Sequence, residues 1–375
     1  MTNRFIEIIR GKRVLFITTK DIDYIRNVQE TNILNKHAQE CQIIFSYKRG
    51  YAGRVLDVWR KLAVYNLKSI DIIFIGFAPQ LVLPFFYFRL KKKFIITDFF
   101  ISMYDTLIHD RKKFKDEGVI ARVSQWIDSI TLKKADYVIT DTKADAKYFA
   151  EEFNEKADKF ETVYLEADAS IYYPRAQCKS TELEDRFVVL YFGSILPLQG
   201  VDIVLDAVRI LKNRTDIYFQ IIGPIPDKYS KPVQENVEYM NWLNQDELAE
   251  YIANADLCLA GHFSGEIEKA RRTIPGKAYI YEMMQKNMLL GDGTANHEFF
   301  TEDRKHQFVK MGDAKELAKG IVDMKQSLTD RQTDRQTDRQ TDRQTDRQTD
   351  RQTDRQTDSN IVFCIWPSMA EMMCA

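Results

Sequence analysis

From residue 13 onward the chain repeats one pattern, a short apolar run, a polar break, then a longer stretch with one apolar side. Residues 13–18 (RVLFIT), 42–46, 70–76 (IDIIFIG), 94–98 (FIITD) and 137–140 (YVIT) predict buried strands. The intervals predict helices over 21–40, 54–67, 79–90, 119–134 and 141–149, the third opening with Pro79 in its first turn. The sixteen residues FFISMYDTLIHDRKKF after the fourth strand predict a loop. Repeated strand–helix units predict a parallel, doubly wound sheet.

The pattern breaks over 166–186, a polar stretch that predicts an interdomain connection, and then restarts. Strands are predicted at 187–192 (FVVLYF), 217–223, 237–239 and 256–260. Helices are predicted at 201–211, 246–254 and 314–326; the first carries Val201, Val204, Leu205, Val208 and Leu211 on one face. The expected fold class is α/β, two Rossmann-like doubly wound parallel sheets facing a cleft. The first domain covers 1–168, the connection 169–186 and the second domain 187–328, followed by a repeat over 329–358 and a tail over 359–375.

The segment 271–300, RRTIPGKAYIYEMMQKNMLLGDGTANHEFF, carries the richest candidate chemistry. Pro275-Gly276 punctuates a turn before a helix, and Met288-Leu289-Leu290 reads as a buried strand leaving through Gly291-Asp292-Gly293. Ligands of open α/β sheets sit beyond the carboxyl ends of the strands. This segment therefore delivers Arg271, Arg272, Lys277 and Glu282 to a plausible site: cations suit a diphosphate, and a carboxylate suits a pair of sugar hydroxyls. Plainer readings stand beside it. Glu282 could pair with Lys286 four residues on, Arg271-Arg272 could be a solvated charge pair, and His109 could be an ordinary loop residue.

Length and charge narrow the classes. A chain of 375 residues is long enough for two cores, and a net charge of −1 argues against a nucleic-acid partner. Five scattered cysteines give neither a CxxC nor a metal spacing, so a reducing cytoplasm is the simple expectation. The N-terminal MTNRFIEIIRGKR does not read as a signal peptide. The apolar run 79–90 is too short to span a bilayer, but with Lys91-Lys92-Lys93 it offers an apolar and basic surface for peripheral contact with anionic lipid. A dehydrogenase is disfavoured because no GxGxxG follows the first strand.

The order and spacing of GSILPLQG, ELAEYIANADLCL, IPGKAYIYEMM and GDGTANHEF, with TDFFISMYDTLIHDRKKF in the first half, resemble retaining glycosyltransferases of family 4. The resemblance runs from about Gly11 to Gln326 and implies the GT-B fold, with sugar transfer from a nucleotide-sugar at retained configuration. It implies no cofactor beyond that donor substrate and no essential metal. Glu282 matches the second glutamate of the family's paired motif, which holds the donor ribose; Ile274 stands where the first belongs. Ser194 and Gln199 stand where the family places an arginine and a lysine for the diphosphate. The missing charge must then come from Lys277, Arg271 or Arg272, with backbone N–H groups around Gly193 and Gly200 assisting. His109 falls near the family's acceptor-side histidine. The family implies a glycan or glycolipid acceptor, such as a bacterial surface polysaccharide, and a place at the inner membrane face. An epimerase of the same fold and a catalytically silent scaffold are the alternatives.

From Thr329 to Asp358 the chain is an uninterrupted Thr-Asp-Arg-Gln repeat with no apolar residue, so it cannot build a core. ACA-GAC-AGA-CAG encodes that peptide and is the four-base unit ACAG written three times. All three forward frames of such a tract give the same repeat, and gain or loss of one unit shifts the frame beyond it. The following SNIVFCIWPSMAEMMCA, rich in Cys, Met and Trp, reads as an out-of-frame end.

Overall fold

The computed structural model describes residues 3–111, 114–115, 118–193 and 196–330. The chain divides into two compact units, 1–321 and 322–375. Within the second, residues 322–330 are helical; the remainder of the repeat and the tail lie outside the described residues.

The first unit holds two sheets. The N-terminal half runs α1 (Asn3–Ile9), β1 (Arg13–Ile17), α2 (Ile25–His37), β2 (Glu40–Ile44), α3 (Tyr51–Val64), β3 (Ile72–Ile75), α4 (Leu83–Leu90), β4 (Phe94–Asp98), α5 (Val119–Lys134), β5 (Tyr137–Thr140), α6 (Lys143–Glu152) and β6 (Phe160–Thr162). Its six strands are all parallel, in the order β2-β1-β3-β4-β5-β6. One apolar layer packs α3 to α6 on one face through Val58, Leu62, Leu83, Leu90, Leu132 and Phe149. A second packs α1 and α2 on the other through Phe5, Ile9, Ile33 and Leu34. Burial on both faces explains why β3 is apolar at every position.

The C-terminal half runs β7 (Phe187–Phe192), α7 (Val201–Ile210), β8 (Ile217–Ile222), β9 (Val237–Met240), α8 (Gln245–Asn254), β10 (Leu257–Gly261), α9 (Lys269–Arg272), α10 (Gly276–Met283), β11 (Met288–Gly291), α11 (Asn296–Phe299) and β12 (His306–Val309). Its parallel sheet has the order β12-β11-β10-β7-β8-β9, so strand order reverses between β7 and β10. Local chemistry sets the boundaries. Asn244 accepts from the Glu247 N–H while the Glu247 carboxylate accepts from the Asn244 N–H, starting α8 with a closed capping box.

Several boundaries differ from the sequence reading. The predicted helix over 79–90 is a 3₁₀ turn, Pro79–Leu81, followed by α4, with Ala78 in the left-handed region before it. The predicted loop after β4 contains a π-helical turn, Asp105–Asp110. Strands β6 and β12 and helix α1 were not anticipated. β6 is three residues long, and β12 (HQFV) has polar residues in half its positions.

Candidate functional site

The reversal between β7 and β10 opens a crevice at their carboxyl ends, where such sheets take ligands. Gly193 follows β7, and Gly261 ends β10. Lys277, in the first turn of α10, reaches this point. Its Nζ donates to the Phe192 carbonyl at 2.9 Å and to Gln199 Oε1 at 3.2 Å, and lies 3.7 Å from the centroid of the Tyr191 ring. The same Gln199 oxygen accepts from Tyr191 Oη at 2.9 Å. Among the described residues Lys277 has no carboxylate partner, and burial holds its pKa well below the usual lysine range. Burial, with Lys277 beside it, pushes His262 down to about 3, so that imidazole is neutral.

The glycines make this close packing possible. A side chain on Gly193 would meet Gln199 Oε1 at 2.8 Å. Gly200 is left-handed, φ +65°, and its missing Cβ would lie 2.5 Å from the Ser264 nitrogen. Their N–H groups are not offered to a ligand: Gly193 donates to Ile222 O and Gly200 to Pro197 O. Any backbone donors around Gly193 and Gly200 that meet a phosphate are therefore those of neighbouring residues rather than these two. Ser194 lies outside the described residues.

Of the three candidate cations, Lys277 is the one that bonds a described residue of the Gly193–Gly200 loop, through Gln199. Arg272 turns to the N-terminal half, donating to Asp105 Oδ2 at 3.0 Å and to Asp145, and lies 3.6 Å from the centroid of the Tyr148 ring. Its carbonyl accepts from Thr142 Oγ1. Arg271 is partly exposed, 3.9 Å from Glu268. Glu282 sits at the other end of α10 from Lys277 and bonds Nε2 of His306, the first residue of β12, at 2.8 Å. The structure does not join Glu282 to Lys277. The pairing with Lys286 is not made either, since Lys286 donates to Ala253 O. Ile274 is buried in the apolar core.

Sequence reasoning missed the opposing wall. Arg26 grips Asp98 through two bonds of 3.1 and 2.9 Å and lies 3.7 Å from Glu30. Burial, reinforced by Asp98, pushes Glu30 well above the carboxylate range. Asp141, just beyond β5, is pushed up to about 6 by burial, with Arg26 opposing the shift. Burial and the charge of Asp141 push Asp145 well above its ordinary value. Lys269 donates to Thr106 Oγ1 at 3.4 Å across the same gap. His109 is exposed on the π-helical turn, its ring 5.1 Å from Tyr104. Glu298 on α11 accepts from the N–H groups of Lys143 and Ala144 at the start of α6 and from Tyr164 Oη. These carboxylates are scattered in sequence, and no periodicity or spacing reveals them.

No known protein-family model matches the chain. By sequence it is similar to an uncharacterized 41.2 kDa protein in the cps region of Klebsiella pneumoniae, 25% identical over 256 residues, covering 63% of this chain and 69% of that protein. By structure it is similar to Anabaena Alr3699/HepE solved with UDP, at TM-score 0.58 and 13% identity, covering 84% of this chain and 90% of the other. A sucrose-phosphate synthase from Thermosynechococcus elongatus gives TM-score 0.61 at 10% identity over the same shares. A glycosyltransferase from Rickettsia africae gives 0.57 at 12%, over 84% and 89%. The shared architecture is GT-B, two six-stranded parallel sheets with flanking helices.

Proposed function

We propose that the chain is a glycosyltransferase that takes its sugar from a nucleoside diphosphate donor. The observation that carries this reading is the Lys277 ammonium, buried without a carboxylate at the strand-order reversal of the C-terminal sheet. Such a cation is costly until an anion arrives. A donor diphosphate fits the position, because leaving-group charge develops there during transfer and a fixed cation in a dry site stabilises it strongly. UDP in the Anabaena neighbour supports the ligand class. Lys277 then does the work of the absent loop cations, with Gln199 orienting its ammonium.

The finer reading follows the family resemblance. The anomeric configuration is retained, no metal takes part, and His109 faces the acceptor. The acceptor is a bacterial surface glycan, in keeping with the cps-region relative, and the enzyme works at the inner face of the membrane. Phe85 and Phe88 on α4 are 57% and 82% exposed beside Lys91–Lys93, an apolar and basic patch suited to anionic lipid. No helix among the described residues is long and apolar enough to cross a membrane. Slippage in the repeat makes expression phase-variable.

The test is incubation with a panel of labelled nucleotide-sugars, with and without cell-envelope glycan. Acceptor-dependent release of nucleotide, with the new linkage read by NMR, is expected. An epimerised sugar without acceptor would replace transfer by epimerisation, and absence of nucleotide binding would leave a scaffold.

A further inference from the structure

In the N-terminal sheet, β1 has β2 on one side and β3 on the other, so strand order reverses there too. The carboxyl ends of β1 and β3 form a second crevice. Thr19 Oγ1 donates to Phe77 O at 3.0 Å, tying the two loops together. Tyr24 meets Phe77 edge-on at 5.6 Å, and Phe77 meets Phe100 at 5.9 Å. Tyr24, Phe77 and Phe100 are each half-buried. The left-handed Ala78, φ 54°, follows Phe77 directly.

One ammonium stands over this floor. Lys20 Nζ is 5.6 Å from the centroids of both Tyr24 and Phe77. Among the described residues it makes no ion pair; the neighbouring Asp21 carboxylate is taken by Arg54. Below, the Arg26 guanidinium lies 5.8 Å from the Phe100 centroid and is neutralised by Asp98. Hydroxyls of Thr19 and Tyr51, 3.3 Å apart, border the floor.

We infer that this crevice binds an anionic sugar, its ring against Phe77 and Tyr24 and its carboxylate or phosphate on Lys20. The inference rests on the transferase reading, for which it makes the acceptor an acidic glycan end. Aromatic faces suit the C–H face of a pyranose, since they bury apolar surface without demanding hydrogen bonds. A lone ammonium over them then selects by charge, and it attracts an anion more strongly beside apolar walls than in open water. A neutral sugar gains only the ring contact.

Titration of the full chain with methyl α-glucuronide, glucose 6-phosphate and neutral methyl α-glucoside, followed by ligand-observed NMR, tests this. Both anions, or one of them, should bind at least about tenfold more tightly than the glucoside; which one binds separates carboxylate from phosphate. Lys20→Gln should abolish that preference while leaving the melting temperature unchanged, and Phe77→Ala should weaken all three. UDP is titrated in parallel. Its failure to bind wild type would sink the donor reading alone, and its affinity should be the same in Lys20→Gln. Equal binding of neutral and anionic sugars overturns the inference, as does no binding of either anion. A preference that survives Lys20→Gln but disappears in Lys277→Met places the anion in the donor crevice and overturns it as well.

Discussion

Lys277 donates to the carbonyl oxygen of Phe192 at 2.9 Å, across the one place where the C-terminal sheet reverses its strand order. Its folded pKa lies below the unfolded value of 10.5, so the unfolded chain binds more protons and the group opposes folding at neutral pH. Lys277→Met should therefore leave stability unchanged or raise it by about 1–2 kcal/mol at pH 7. The gap to wild type should close as pH rises towards 10.5. Donor affinity should fall at least about tenfold, the worth of a charge-assisted bond. Calorimetry with UDP and thermal melts of the two proteins check both halves, and a destabilised variant with normal UDP affinity would remove Lys277 from the site.

Lys277 was legible as one of three cations in a short segment, because the turn at Pro275-Gly276 announces a helix start beneath a glycine-rich loop. Its separation from Arg271 and Arg272 was not. Arg272 is five residues earlier, and only the packing of α9 on the N-terminal half aims it at Asp105 and Asp145. The βα alternation was legible where parallel strands are apolar and buried on both faces, as in β3, β5 and β7. β12 escaped since His306 and Gln307 interrupt its apolar character, and with it the partner that Glu282 bonds.

Glu282→Ala should leave UDP affinity unchanged, because its carboxylate lies at the far end of α10 from Lys277 and bonds His306. The hydrogen bond that His306 Nε2 donates to the Glu282 carboxylate raises the folded pKa of His306 above 6.5. That stabilisation is fully present below 6.5 and is lost as pH rises through the raised value. Glu282 is half-exposed, so the substitution should cost no more than about 1 kcal/mol at pH 6 and less at pH 9. Urea unfolding at the two pH values checks this, and a clear loss of UDP binding would restore Glu282 to the donor site.

Arg272→Met removes the shared partner of two buried carboxylates, Asp105 and Asp145. Leaving them unpaired should cost about 3–5 kcal/mol at pH 7, read from the urea midpoint. A midpoint within error of wild type would show that the brace contributes nothing.

Asp141 makes the opposite case. Its folded pKa is raised to about 6, so the stability it adds is complete below its ordinary value of 3.8 and is lost as pH rises through 6. Asp141→Asn should be more stable than wild type at pH 8, by roughly 1–3 kcal/mol. The difference should fade towards pH 4. Paired unfolding curves across that range decide it, and a constant difference would contradict the assignment.

Phe88 is the most exposed ring of the α4 patch, with the Lys91 ammonium 5.3 Å from its centroid. Phe88→Asp should reduce sedimentation with anionic vesicles several-fold, since it replaces apolar contact by a charge of the lipid's own sign. Neutral vesicles should bind wild type more weakly than anionic ones. Equal sedimentation of variant and wild type would locate any membrane contact elsewhere.

The repeat permits a test at the level of the gene. A peptide selected for its own properties tolerates synonymous codons, since every codon for Thr, Asp, Arg or Gln serves it equally. A tract maintained by slippage must keep one nucleotide unit, and ACAG is a unit that yields Thr-Asp-Arg-Gln in any frame. The run Thr329–Asp358 contains no substituted residue, which fits a repeat homogenised at the nucleotide level. Charge pairing along a helix is the competing account, but Thr and Asp are weak helix formers, and without an apolar residue the tract has no face to pack. Sequencing the locus in many colonies of one culture should therefore give tracts that differ by single four-base units, each change switching the downstream frame. Immunoblots against the N-terminal half should then show chains of different length from the same strain. A tract of fixed length in every colony, or mixed codons across it, would end the case for slippage.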